Sequence, residues 1–271
     1  MVRENPGAHK GVIVVQIGIT ERGDAAIDTT WKTWVYEKGL PAILITKDPV
    51  KLITENPGLF IGNELKGNVI LHATITGMGG TWLEPNVPNP NDTLERLQLF
   101  LDEPKFHRER IVIRQDPIFV PEILDDFTRG DDIFKVGAFV KKNGLRYRMS
   151  FLDLYPHVKE RIYQANPDKY TRILKVQPDM HLPLNTRLDF LKILENKTGL
   201  ADADIEICGE PEIKCTGCLS KRDLDTFGIE LDKDLETGMQ RPACACLGIK
   251  KELLNNKHRC KHQCLYCFWK D

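Results

Sequence analysis

The first 207 residues of this 271-residue chain contain no cysteine; all eight (Cys208, Cys215, Cys218, Cys244, Cys246, Cys260, Cys264 and Cys267) come after them. Disulfide frameworks belong to small secreted domains, so a large cysteine-free remainder argues against one, and crowding of this kind points to local metal chemistry. Long hydrophobic runs are lacking as well. The N-terminal "MVRENPGAHKGVIVVQIGI" has only a short apolar stretch after its charges, and nowhere do about eighteen apolar residues follow one another. Neither an export signal nor a membrane span is expected, and a soluble, cytoplasmic protein is. Excess charge of one sign is the third absence. The net charge is −1 with 28% charged residues, so no global field calls for a polyanion or a membrane surface, and any such partner must be argued locally.

What is present has the punctuation of an α/β protein. Apolar, β-branched runs at 11–19, 42–46, 68–76, 110–114 and 145–153 read as strands, and "DADIEICG", ending near Cys208, reads as a sixth. Between them lie helical spacings: Trp31, Trp34 and Val35; Leu94, Leu97, Phe100 and Leu101, with Asp92 as the expected N-cap; and "LPLNTRLDFLKILENKTGL". Alternation of strand and helix implies a parallel sheet with crossover connections. Residues 1–207 are therefore expected to form strand–helix barrel units. Residues 208–271, with little periodicity, are expected to form a metal-binding region held by metal rather than by a core.

Each strand is followed by polar or glycine-rich chemistry: Thr20 to Asp24, Thr46 to Asp48, Thr76 to Gly80, Arg114 to Asp116, Ser150 to Asp153, and Cys208 to Glu210. In a parallel barrel these ends converge on one face, where the site sits. Any one of them alone would more often be an N-cap or a turn; the repetition favours a site.

Cys260, Cys264 and Cys267 place three thiolates on one short loop, a set that leaves one iron of a cubane open. With Tyr266 they complete C-x3-C-x-aromatic-C. At these residues the chain resembles the radical S-adenosylmethionine (SAM) superfamily, which implies a 4Fe-4S cluster, SAM chelating the open iron, and Tyr266 near the adenine. The superfamily's loop normally follows the first barrel strand. Here it comes last, so the resemblance implies a circularly permuted, partial (β/α)6 barrel, with a strand near 244–249 as the usual first strand and the N-terminal strand beside it. "QIGITERGD", "LITKDPVKLI" and "HATITG" look like successive segments of the spore-photolyase-like branch. The chain is also similar to an uncharacterised bacterial family with the same tail, "TITG", an R-x-D-P as in "RQDPI", and paired cysteines.

The expected roles follow the strand tips. Thr20, Glu21 and Asp24 are candidates for the SAM amino group, Gly77, Gly79 and Gly80 for close backbone approach, and Arg114 for the SAM carboxylate. A tight turn is the competing role for the glycines. Asp116 would orient Arg114 or contact the ribose, or the two would form a structural ion pair; Lys47, Asp116 and Asp153 are the catalytic candidates. Phe268 and Trp269 are expected to cap the site. His258 and His262 are ligand or proton-donor candidates, although an isolated histidine is more often hydrogen-bonded structure. The remaining five cysteines suffice for a second four-ligand site, an auxiliary 4Fe-4S cluster or zinc.

Between Lys135 and Lys175 ten Lys or Arg face three Asp or Glu, with Tyr147, Phe151, Tyr155, Tyr163 and Tyr170 interleaved. That composition suits a nucleotide or nucleic-acid substrate, against the plainer reading of a solvated helix face. The resemblance further implies reductive cleavage of SAM, hydrogen abstraction from substrate, and an electron donor of flavodoxin or ferredoxin type. The rival function is a non-catalytic binding module stabilised by zinc or iron–sulfur.

Overall fold

The computed structural model describes residues 16–121, 127–230, 243–255 and 260–268. Its strands are β1 (Ile17–Ile19), β2 (Ala42–Thr46), β3 (Val69–Thr74), β4 (Ile111–Ile118), β5 (Arg146–Phe151), β6 (Ile205–Ile207) and β7 (Lys250–Glu252). Every pairing is parallel and the order is β6-β5-β4-β3-β2-β1-β7, a curled half-barrel of seven strands. Six of the strands fall in the six apolar runs of the sequence, and the seventh, expected near 244–249, is β7 at 250–252; it forms an edge of the sheet and pairs with β1, the N-terminal strand. Residues 11–15 of the first expected strand lie outside the described residues.

The helices are α1 (Pro49–Glu55), α2 (Pro90–Leu101), α3 (Phe127–Asn143), α4 (Pro156–Ala165), α5 (Pro167–Val176), α6 (Leu184–Thr198) and α7 (Lys221–Phe227). Asp48 caps α1 by accepting the Lys51 amide at 3.0 Å, with Pro49 at the first helical position. The cap of α2 is Asn89, which accepts the Asn91 amide at 2.9 Å; the expected cap, Asp92, falls inside the first turn. No helix among the described residues is long and apolar enough to cross a membrane.

Both faces of the central strands are buried, which is why they read as continuous apolar runs. Alternate residues part to two layers. Ala42, Leu44, Val69, Leu71, Ile111 and Ile113 join the larger core with the helices. Ile17, Ile19, Ile43, Ile45, Ile70 and Val112 face the other way and pack on Leu219, Leu224 and Phe227. Part of the cysteine-rich region thus packs on that face of the sheet through apolar side chains, where metal rather than a core was expected to hold it.

A charged knot is buried on that face. Arg146 Nε donates to Glu206 Oε1 at 2.9 Å, Arg148 Nε to Glu206 Oε2 at 3.0 Å, and Arg146 pairs with Asp223 at 2.8 Å. Arg146 and Arg148 are 6% and 0% exposed, and Tyr147 is buried with its hydroxyl on Gln115. These three residues of the basic, tyrosine-bearing stretch therefore cannot meet a polyanion, whereas Lys135, Lys141, Lys142, Arg172 and Lys175 of the same stretch are exposed.

Candidate cofactor site at the strand ends

The strand ends and the C-terminal cysteine loop enclose a cavity of about 940 Å3. Cys260, Cys264 and Cys267 line it, as do Cys208, Cys218, Cys244 and Cys246, so both cysteine groups face one space. None of the eight cysteines is in a disulfide.

Three sets of contacts hold the C-terminal loop. In the first, His262 bridges its Nε2 to Asp24 Oδ2 at 2.9 Å and its Nδ1 to the Asn86 carbonyl at 3.1 Å. Two acceptors on one ring require the doubly protonated form. Burial works against that charge, but Asp24 outweighs it and raises the His262 pKa. Asp24 also accepts from Thr46 Oγ1 at 2.7 Å and the Lys47 amide at 2.8 Å. Burial raises its pKa, while His262 and these hydrogen bonds bring it below the usual carboxylate value.

The second set surrounds Glu84, which is fully buried. It accepts from Lys47 Nζ at 2.7 Å, from Thr76 Oγ1 at 2.7 Å and from the Tyr266 hydroxyl. Lys47 Nζ also donates to Tyr266 Oη at 2.6 Å; burial disfavours its charge, and Glu84 and Cys264 more than restore it. The third set comes from α4. Arg161 donates to the Cys267 carbonyl, His157 Nε2 donates to the Phe268 carbonyl at 2.6 Å, and Tyr155 meets the Phe268 ring edge-on at 5.0 Å. Phe268 does line the cavity mouth, whereas Trp269 and His258 lie outside the described residues. Burial pushes the Cys264 thiol up to about 12 and raises Cys260 too.

Across the cavity, Arg114 pairs with Asp116, whose other oxygen accepts from Ser150 Oγ at 2.6 Å. Burial opposes the Arg114 charge, but Asp116, Cys218 and Cys208 hold it firmly protonated. Both residues lie within β4 rather than beyond its end. Arg114 Nε is buried without a hydrogen-bond partner, and so is Thr74 Oγ1; both residues line the cavity. Asp153 lines it too, backed by His181 Nδ1 at 2.8 Å. Glu21 pairs with Lys250 at 3.0 Å; burial and then Cys218 raise its pKa. Glu252 of β7 accepts the Glu21 and Arg22 amides, both at 3.1 Å, and so fixes the loop that leaves β1.

Other expected site residues are placed elsewhere. Thr20 is buried and its Oγ1 accepts the Ile45 amide at 2.7 Å, tying β1 to β2. Gly77, Gly79 and Gly80 are not among the cavity-lining residues. A Cβ on Gly77 would press on the α3 backbone at Ile133, 3.1 Å away, and one on Gly79 would overlap the Pro88 carbonyl, so at both positions the absent side chain serves local packing. The competing reading of a tight turn describes the "GMGG" segment better than approach to a ligand. Cys215 turns into its own loop, where its Sγ takes the Glu210 amide at 3.1 Å.

Cys208 and Cys218 lie with their sulfurs 3.1 Å apart, and Cys246 accepts the Cys218 amide at 3.1 Å. Hydrogen bonds from Cys208 and Cys218 lower the Cys246 pKa, while its bonds to Cys218 and Cys246 drive that of Cys208 upward. Among the described residues no three His, Cys, Asp or Glu side chains converge as a metal site.

Sequence reasoning missed Glu84, Thr74 and Asn86. Thr74 belongs to the "TITG" segment, a usable signal; Glu84 and Asn86 sit in the proline-rich "EPNVPNPND", where nothing marks a buried acid. A family model described as a domain of unknown function (DUF1848) matches residues 39–269. No curated protein and no solved structure matches.

Proposed function

We propose that this chain, which belongs to the DUF1848 family, is a radical SAM enzyme. The observation that supports this best is the placement of the C-x3-C-x-Y-C loop. It follows edge strand β7 of a parallel, curled sheet, and its three thiols line the cavity at the strand ends. That is where the superfamily resemblance requires it, with the loop's strand joined to β1.

The residues present fit the two groups the reading needs. Three thiolates from Cys260, Cys264 and Cys267 would hold a 4Fe-4S cluster with one iron open. Arg114 and Thr74 line the cavity and each carries a buried polar atom, Nε and Oγ1, with no hydrogen-bond partner, which suits these residues to the carboxylate and amino end of SAM. When bound, the cluster and SAM would supply reductive cleavage of SAM and a 5'-deoxyadenosyl radical that takes hydrogen from substrate.

The chain's own part is to position and to shield. Asp24 and His262 lock the loop against β1 and β2, and Glu84 with Lys47 holds Tyr266, leaving its ring rather than its hydroxyl for the cavity. Lys47 is accordingly a positioning residue. Asp116 fixes the Arg114 fork, and His181 orients the Asp153 carboxylate at the cavity wall, where it would serve the reaction. A nucleotide-type substrate enters this reading through Tyr155 and Phe268, aromatic rings at the cavity on which a base can stack, and no longer through Arg146 and Arg148. The reductant would be a protein of flavodoxin or ferredoxin type.

The test is direct. Anaerobically purified protein, given SAM and a strong reductant, should form 5'-deoxyadenosine and methionine, and the Cys260→Ala, Cys264→Ala, Cys267→Ala triple variant should not. Methyl transfer without deoxyadenosine, or stoichiometric zinc without sulfide in the wild type, would sink the reading.

A further inference from the structure

Five cysteines take no part in the C-terminal loop, and the structure separates them. We propose that Cys208, Cys218, Cys244 and Cys246 hold a second thiolate-ligated metal centre on the wall of the same cavity, and that Cys215 is excluded from it. This goes beyond the SAM reading and rests on different residues.

Three segments distant in the chain are locked together to make the site. Cys208 follows β6, and its sulfur is 3.1 Å from that of Cys218. The Cys218 loop is packed backbone to backbone on the Cys244–Cys246 segment. At Gly217, φ is +83°, and a Cβ would lie 2.7 Å from the Ala245 carbonyl carbon and the Cys246 nitrogen, so only glycine allows the approach. The Leu247 amide donates to the Leu219 carbonyl at 3.0 Å, and the Cys218 amide to Cys246 Sγ at 3.1 Å. From below, Arg148 Nη1 holds the Cys218 carbonyl at 2.8 Å.

The chemistry of the donors selects the ligand class. Three of these thiols, Cys208, Cys218 and Cys246, lie buried in one apolar cluster with Ile17, Ile43 and Ile45, and Cys244 packs against that cluster on the same cavity wall, a surrounding that suits a thiophilic ion. A tetrahedral site with metal–sulfur bonds of about 2.3 Å spaces its sulfurs about 3.8 Å apart. The Cys208–Cys218 pair must open by roughly 0.7 Å to meet that spacing, a side-chain adjustment. A bridged iron–sulfur cluster and a single zinc share this ligand set. Cys215 sits outside the cavity lining, and its sulfur lies against the Glu210 amide at 3.1 Å and the Glu210 carbonyl at 3.3 Å.

The test uses the full chain with Cys260, Cys264 and Cys267 all replaced by Ser, purified anaerobically. It should retain metal; acid-labile sulfide alongside iron identifies a cluster, and zinc without sulfide identifies a mononuclear site. Adding Cys215→Ser should leave the metal content unchanged, and adding Cys246→Ser should abolish it. Where the Cys246→Ser chain fails to fold, thiol alkylation of the metal-loaded triple variant decides instead. Cys215 should be modified, and Cys208, Cys218, Cys244 and Cys246 protected until a chelator is added. A triple variant without metal whose Cys208 and Cys218 are joined in a disulfide, or protection of Cys215 in place of Cys244, overturns the proposal. Failure to cleave SAM would leave it standing, because metal retention is read without turnover.

Discussion

His262 sits within the C-terminal cysteine loop, yet its Nε2 lies 2.9 Å from Asp24 Oδ2, 238 positions away in the chain. The pair is buried on both sides, with side chains 7% and 5% exposed. Removing one member of a buried pair strands the other charge, at a cost of about 3–5 kcal/mol. Asp24→Ala should therefore lose that much stability in urea denaturation of the metal-free protein. The Asp24→Ala, His262→Ala double variant should recover part of the loss, since no charge is then left unpaired; strict additivity would show that the two do not act as a pair.

Tyr266 gives a smaller, graded test. Tyr266→Phe deletes a hydrogen bond to the carboxylate of Glu84, worth about 1.5–3 kcal/mol for a charged acceptor. Glu84→Ala should cost more, because it also strands the buried Lys47 ammonium. Equal losses in chemical denaturation would remove Lys47 from the account.

Arg114 links structure to the proposed cofactor. Arg114→Ala should weaken SAM binding, measured anaerobically by equilibrium dialysis, by about 1.5–3 kcal/mol. Arg114→Lys should not restore it, since an ammonium lacks the planar fork that can pair with Asp116 and still offer further N–H donors. Unchanged affinity would take Arg114 out of the SAM site.

Arg148 separates interior charge from surface charge. Arg148→Ala leaves Glu206 and Asp223 short of a partner and should cost at least about 3 kcal/mol of stability. A folded Arg148 variant should bind any nucleic acid with the same salt slope as wild type, because a fully buried guanidinium neutralises no phosphate. A flattened slope would contradict the burial.

Acid should weaken the fold in a defined window. Burial raises the Asp223 pKa, but Arg148 and Arg146 pull it below its ordinary value, and Asp24 is lowered likewise by His262. Groups lowered in the folded state stabilise fully above the unfolded pKa, about 3.9 for Asp, and lose that contribution as pH falls through the folded value. Urea midpoints of the metal-free chain should hold down to about pH 5 and drop below pH 4. Asp223→Asn should be less stable at neutral pH and show a shallower acid drop.

The sequence showed most of the sheet for a physical reason: strands buried on both faces, such as "AILIT" at 42–46, carry their signal in every residue. Strand β4 was read too short because Arg114 and Asp116 look like the polar end of a strand, when each is paired within it. Strand β7 has the sequence Lys-Lys-Glu, which no propensity would name a strand; its conformation comes from pairing with β1. The cysteine loop was legible because its spacing is local. Its anchors were not, since Asp24, Glu84 and Arg161 reach it from elements remote in sequence and look, residue by residue, like ordinary surface charge.

Because β7 joins the sheet beside β1, the order of synthesis and the order of assembly diverge. The ribosome delivers the walls of the cavity first, β1 through β6 in spatial sequence, and every thiol afterwards. Until Lys250–Glu252 emerges, β1 presents an open parallel edge, and the loop leaving it lacks the Glu252 carboxylate that holds its amides. A nascent chain stalled before that point would expose strand backbone without any thiol of the C-terminal loop. Under the proposed reading, metal would reach that loop only after the walls of the cavity had been made.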